Sequence, residues 1–172
     1  ALETAHKINS VILDKTGTVT KGHPVVTDII TASNFKEDDL LRIAASAERG
    51  SEHPLGESIV SAAEDKKIDL TDATEFDAIP GYGISAKIDG QKVLLGNLAL
   101  MQEQGISLDD LGEKASQFSS NGKTPMFLSV NDNAIGIVAV ADTLKPHSNE
   151  AISELQRLGL EVVMLTGDNH HT

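Results

Sequence analysis

The chain holds 172 residues, with 14 Lys and Arg against 26 Asp and Glu, a net charge of -12 and no cysteine. That length suits one ordinary domain or two small ones; the acidic balance argues against a nucleic-acid partner, and the missing thiols remove disulfide and thiolate chemistry. The longest apolar run, Ile135 to Ala141 broken by Gly136, falls far short of the ~20 residues of a membrane span, and a chain that opens on Ala1 without a signal peptide reads as a piece of something longer.

Residues 8–13 form a short run with few polar interruptions, the pattern of a strand buried on both faces of a parallel sheet. Asp14 falls at its C-terminal end. Residues 37–49 set Leu40, Ile43, Ala44 and Ala47 at helical spacing, with Gly50 as the stop. A second helix follows, capped by Ser51 or His53, with Pro54 in its first turn and Ile59, Ala62 and Ala63 inward. From Thr74 the period shifts towards two, and Asp89-Gly90 between ISAKI and QKVLL marks a hairpin. Asn97 can cap a short helix ending at Gly105, and Ser107 another ending near Gly122. Residues 125–141 read as a second hairpin around Asn131-Asp132-Asn133, so the centre of the chain is an antiparallel sheet with helices packed on it, an α+β arrangement. Pro146 opens a last helix with Ile152, Leu155 and Leu158 inward, and LEVVML is another buried strand, stopping at Thr166-Gly167-Asp168-Asn169. Its natural neighbour is the run 8–13. The expected organisation is a discontinuous α/β domain, residues 1–21 and 142–172, interrupted by an inserted domain over residues 22–141.

If those two strands are neighbours, Asp14 and Asp168 share the carboxyl edge of one sheet, where open α/β folds place ligands. A carboxylate followed by Thr16, Gly17 and Thr18 sets a nucleophile beside backbone N–H and hydroxyl groups able to receive phosphate oxygens, and Thr166-Gly167 offers the same donors. The same short string equally fits a solvated turn. Glu48 ends one helix and His53 starts the next, with Gly50 and Ser51 as the corner, so the two side chains can meet; each also fits an ordinary helix end. Gly81 and Gly83 let a ligand approach the backbone closely, or simply turn the chain into a strand. Asn97 fits an N-cap as well as a ligand contact, and His170-His171 reads as a featureless pair.

Taken together the motifs carry a resemblance. Asp14-Lys15-Thr16-Gly17-Thr18-Val19-Thr20 resembles the phosphorylation motif of P-type ATPases, and Thr166-Gly167-Asp168-Asn169 their second phosphate-site motif. Ser51-Glu52-His53-Pro54-Leu55 is similar to the His-Pro signature of the heavy-metal-transporting branch, and Gly81-Tyr82-Gly83 with Gly96-Asn97 to the rest of its nucleotide pocket. The resemblance implies a haloacid-dehalogenase-like phosphorylation domain, incomplete, with an inserted nucleotide-binding domain. It implies ATP held by Glu48, His53, Gly81, Gly83 and Asn97, and a phosphoryl group passed to Asp14 beside Lys15, Thr16, Thr166, Gly167 and Asp168, with Mg²⁺ at Asp14 and Thr16. Thr16 stands where haloacid-dehalogenase-type phosphatases carry an acid/base Asp, so the acyl phosphate should hydrolyse slowly.

The chain ends at Thr172, before the family's later Gly-Asp-Gly-x-Asn-Asp segment, and lacks the membrane helices and the actuator domain. The resemblance therefore implies a monomeric cytosolic fragment that binds ATP and ADP, with turnover and metal transport belonging to the whole pump. Copper(I) is the expected cargo and zinc or cadmium the alternative. A soluble phosphatase and a non-catalytic nucleotide-binding module are the rival readings.

Overall fold

The computed structural model describes residues 8–32 and 35–165. In chain order the elements are β1 (Ser10–Asp14), β2 (Thr20–Thr31), α1 (Glu37–Glu48), α2 (Pro54–Asp65), β3 (Thr74–Ile79), β4 (Gly83–Ile88) and β5 (Gln91–Gly96). Then come α3 (Leu98–Glu103), α4 (Leu111–Ser120), β6 (Thr124–Val130), β7 (Asn133–Leu144), α5 (Ser148–Arg157) and β8 (Glu161–Leu165). The chain divides into two compact units: the described residues up to His23 together with those from Asp142, and Pro24–Ala141.

The inserted unit is built on a six-stranded sheet in the order β2-β7-β6-β5-β4-β3. Its strands alternate faces because successive side chains on a strand point to opposite sides. Ile84, Ala86 and Ile88 of β4, Val93 and Leu95 of β5, and Leu128 and Val130 of β6 meet Leu40, Leu41 and Ala44 of α1 and Ile59 and Ala63 of α2 in one core. Leu94, Phe127 and Ile137 point the other way, against Leu100 and Met101 of α3 and Leu111 and Ala115 of α4. The sheet is therefore buried on both faces, a helix pair on each.

One strand escaped the sequence pattern and one expectation needs correction. Residues 20–31 form a long strand that the sequence pattern concealed. Gly22 and Pro24 break the apolar alternation, yet β2 lies at the margin of the sheet, where a residue without an N–H is tolerated. Ser107 does not cap α4; its hydroxyl turns to Asp109 at 2.8 Å, and the helix begins at Leu111.

The flanking unit pairs β1 with β8 in parallel, from Ser10 opposite Glu161 to Asp14 opposite Leu165. Its helix α5 starts at Ser148 rather than Pro146, with His147 at φ 67 turning the chain into it. Of the residues expected to face inward, Ile152 and Leu155 are half-buried and Leu158 is exposed; α5 buries no residue fully, because two strands offer it too little sheet to cover.

Candidate functional site

Asp14 is the last residue of β1, exposed at the carboxyl end of the two-stranded pair. Thr16 (φ -75, ψ 121) and Gly17 (φ 76, ψ -11) then make a type II turn, whose third position needs a positive φ and so favours glycine. Thr20 fixes the turn from beneath. Its hydroxyl accepts from Gly17 N at 3.2 Å, sits 3.0 Å from the Lys15 carbonyl oxygen and donates to Asp142 Oδ2 at 2.5 Å. Asp142 also accepts from Gly22 N at 3.0 Å, and Lys145 Nζ donates to the Gly17 carbonyl. Backbone Lys145 N and the Ser148 hydroxyl both donate to the Val19 carbonyl, at 3.0 and 2.8 Å. The sequence marks residues 20–23 and 142–146 only as the passages between the two domains, and gives no sign that Thr20, Asp142 and Lys145 support this turn, because the signal is a pairing across more than a hundred residues. Lys15 is half-buried and Thr16 exposed. Thr166, Gly167 and Asp168, with His170 and His171, lie outside the described residues. Among the described residues no three His, Asp or Glu gather into a metal cluster. The oxygen donors of Asp14 and Thr16 are of the hard kind that Mg²⁺ takes.

The inserted unit holds a pocket of about 380 Å³. Glu48, His53, Gly81, Gly83 and Asn97 all line it, coming from three separate stretches of the chain. Ile79, Tyr82, Ile84 and Met126 supply apolar and aromatic wall. Glu48 is the last residue of α1 and only 3% exposed, and its Oε2 has no hydrogen-bond partner. Burial pushes its carboxyl above the ordinary glutamate range, while the Ser51 hydroxyl bonded to it and the nearby His53 pull the other way. The corner between the helices is tight: Ser51 N donates to the Glu48 carbonyl at 2.8 Å, and Ser51 Oγ accepts from His53 N at 3.2 Å. His53 is itself the N-cap of α2, its Nδ1 accepting from Leu55 N at 3.2 Å. That bond leaves the proton of the neutral ring on Nε2, at the outer edge of an exposed side chain.

Asn97 does two jobs at once. Its Oδ1 caps α3 by accepting from Leu100 N at 3.0 Å, and its Nδ2 donates to the Gly81 carbonyl at 2.8 Å while its backbone N donates to Tyr82 O at 2.8 Å. The cap reading and the pocket reading of this residue are thus compatible, since one side chain ends a helix and fixes the glycine rim. Gly83 (φ 148) stands opposite Gly96 in the β4/β5 ladder, and a Cβ on it would lie 2.5 Å from Gly96 Cα. The rim closes only because neither residue has a side chain.

The family model for haloacid dehalogenase-like hydrolases matches residues 8–172. A copper-exporting P-type ATPase of Staphylococcus aureus (strain bovine RF122 / ET3-1) is 46% identical over 172 residues, which is 99% of this chain and 21% of that protein. Another, of Bacillus subtilis (strain 168), is 44% identical over 171 residues, with the same two shares. A crystal structure of a zinc-transporting PIB-type ATPase in the E2.Pi state superposes with a TM-score of 0.86 at 36% identity, over 95% of this chain and 26% of that one. The chain spans about a fifth of the length of the curated relatives it matches.

Proposed function

The chain belongs to the haloacid dehalogenase-like hydrolase family, and on that premise we propose that it is the nucleotide-binding domain, with part of the phosphorylation domain, of a P-type ATPase that exports copper(I). The observation that carries this reading is the convergence of five residues on one pocket, with the buried Glu48 carboxylate in its wall. A carboxylate in the wall of an apolar pocket favours a ligand that supplies an N–H. The exocyclic amine of adenine does so; guanine presents a carbonyl at the same ring position. His53 adds an Nε2 donor at the mouth, and the bare backbone of Gly81 and Gly83 admits the sugar and phosphates closely.

In the intact pump Asp14 accepts the phosphoryl group: a carboxylate oxygen bonds to the γ-phosphorus, the bond to the β–γ bridging oxygen breaks, and ADP leaves. Asp14 and Thr16 would hold Mg²⁺, which would supply neutralisation of the phosphate charge. The turn held by Thr20 and Lys145 keeps backbone N–H groups in place beside the carboxylate. Thr16 has no carboxylate with which to activate water, which favours a long-lived acyl phosphate and disfavours the phosphatase reading. Copper is preferred as cargo because the copper-exporting relatives share 46% and 44% identity and the zinc-transporting structure 36%. The domain faces the cytosol as a monomer and works with transmembrane and actuator domains; among the described residues no helix is long and apolar enough to cross a membrane.

The test is titration of the chain with ATP followed by amide shifts. Perturbations should centre on Glu48, His53, Gly81, Gly83 and Asn97, with a dissociation constant on the order of 0.1–1 mM, as a domain that releases ADP every cycle requires. Shifts clustered away from all five would reject the site. In the full-length protein, γ-labelled ATP should give a hydroxylamine-sensitive acyl phosphate that Asp14→Asn abolishes.

A further inference from the structure

We infer that Gly56 is a positioning residue for the Glu48 carboxylate, and that its missing side chain sets where the pocket's hydrogen-bond acceptor stands. Gly56 is buried in the first turn of α2. It is not among the glycines with positive φ, so backbone freedom does not explain it. Alanine is the better helix former at such a place. What a Cβ there would meet does explain the glycine: it would lie 2.9 Å from Cδ of Glu48 and nearer still to Oε2, with Ser51 Oγ at 3.1 Å. No real Cβ contact is that short, so something must move. The backbone of α2 is held by its cap and by the contacts of Ile59 and Ala63 in the core. The carboxylate is the far end of a flexible side chain, and it is the part that gives.

The space above Gly56 is therefore the seat of the carboxylate. With it filled, Glu48 keeps its place on α1, but its carboxylate swings away from the position in which Ser51 bonds it and it lines the pocket. The helix loses nothing. A residue whose substitution spares the fold while moving one acceptor determines which base the pocket takes, because the acceptor separates an amino-bearing purine from an oxo-bearing one.

The inference rests on the reading of this pocket as a purine nucleotide site, and a double-mutant cycle separates the two. The chain is titrated with ATP and with GTP as the parent, Gly56→Ala, Glu48→Ala and the double variant, and each is melted. Gly56→Ala should bind ATP about tenfold more weakly, with a smaller preference for ATP over GTP and a melting temperature equal to or above the parent's. In the Glu48→Ala background Gly56→Ala should change nothing further, since the atoms it displaces are gone. Equal loss in both backgrounds, or parent-like ATP affinity in Gly56→Ala while Glu48→Ala binds poorly, overturns the positioning role and leaves the pocket reading intact. A double variant that unfolds along with Gly56→Ala overturns it too, by showing a packing role. Parent-like ATP affinity in Glu48→Ala removes the pocket reading, and the positioning role with it.

Discussion

The two units of this chain differ in how much apolar surface they remove from water. In Pro24–Ala141 a sheet is covered on both faces, and Leu40, Ile59, Leu95, Leu128 and Val138 are fully enclosed. In the flanking unit Val19 is the sole buried apolar side chain among the described residues, while Ile12 is 69% exposed, Leu158 66% and Leu165 62%. Burial of apolar area is the dominant favourable term in folding, so the stability of this chain resides in the insert. The turn that follows Asp14 in the flanking unit is held instead by hydrogen bonds converging on Thr20 and Val19.

The largest expected effect comes from testing that contrast directly. Leu128→Ala opens a cavity in the insert and should cost about 2–5 kcal/mol; Ile12→Ala removes an exposed side chain and should stay within about 0.5 kcal/mol. Denaturant melts read both. Equal costs would mean that the flanking unit carries a share of the core that its exposure denies.

The same contrast bears on what the sequence revealed. Helices α1 and α2 were legible because their buried faces repeat at helical spacing and Gly50 and Pro54 punctuate them. The β4/β5 hairpin was legible from Asp89-Gly90. Strand β2 was not, since a marginal strand need satisfy only one neighbour and its sequence can carry Gly22 and Pro24. The inward stripe on α5 was legible as a face, with Ile152 and Leu155 half-buried, but a periodic pattern states which face is apolar, not how fully it is covered. Within the pocket, Glu48 and His53 could be paired from the short corner between them; Gly56 could not be weighed until the Glu48 carboxylate had a position.

A smaller effect sharpens the comparison at the level of single hydrogen bonds. Asn97→Ala removes the cap of α3 and the bond to Gly81, and should cost about 1–2 kcal/mol of global stability together with ATP affinity. Ser148→Ala deletes one bond to the Val19 carbonyl in the flanking unit, and should change the melting temperature of the insert hardly at all. Thermal melts with ATP titrations on both variants check this.

The smallest effect is one of pH. Burial holds the Glu48 carboxyl above its ordinary value, so the folded state binds that proton more tightly than the unfolded chain does. Its favourable contribution is complete below the unfolded-state value and is lost as pH rises through the folded-state value. Glu48→Gln should therefore gain stability relative to the parent as pH rises from the ordinary glutamate value of about 4 up through the raised folded-state value. ATP affinity should run the opposite way, weakening in the parent as acid protonates the acceptor and staying flat in the variant. Parallel slopes in the two proteins would show that Glu48 does not titrate in this range.

The margins of the six-stranded sheet have a consequence for the behaviour of many copies together. Such a sheet ends in two rows of backbone groups that another molecule could extend, the usual start of intermolecular strand stacking. One margin is β2, where Pro24 offers no N–H to a newcomer; the other is β3, whose pairing with β4 shifts between Thr74 and Asp77 and whose Glu75 turns to φ 52. A proline on one side and an irregular ladder on the other leave no straight template on either. Concentrated solutions of this chain should therefore resist fibril growth, although its centre is rich in Val, Ile and Leu.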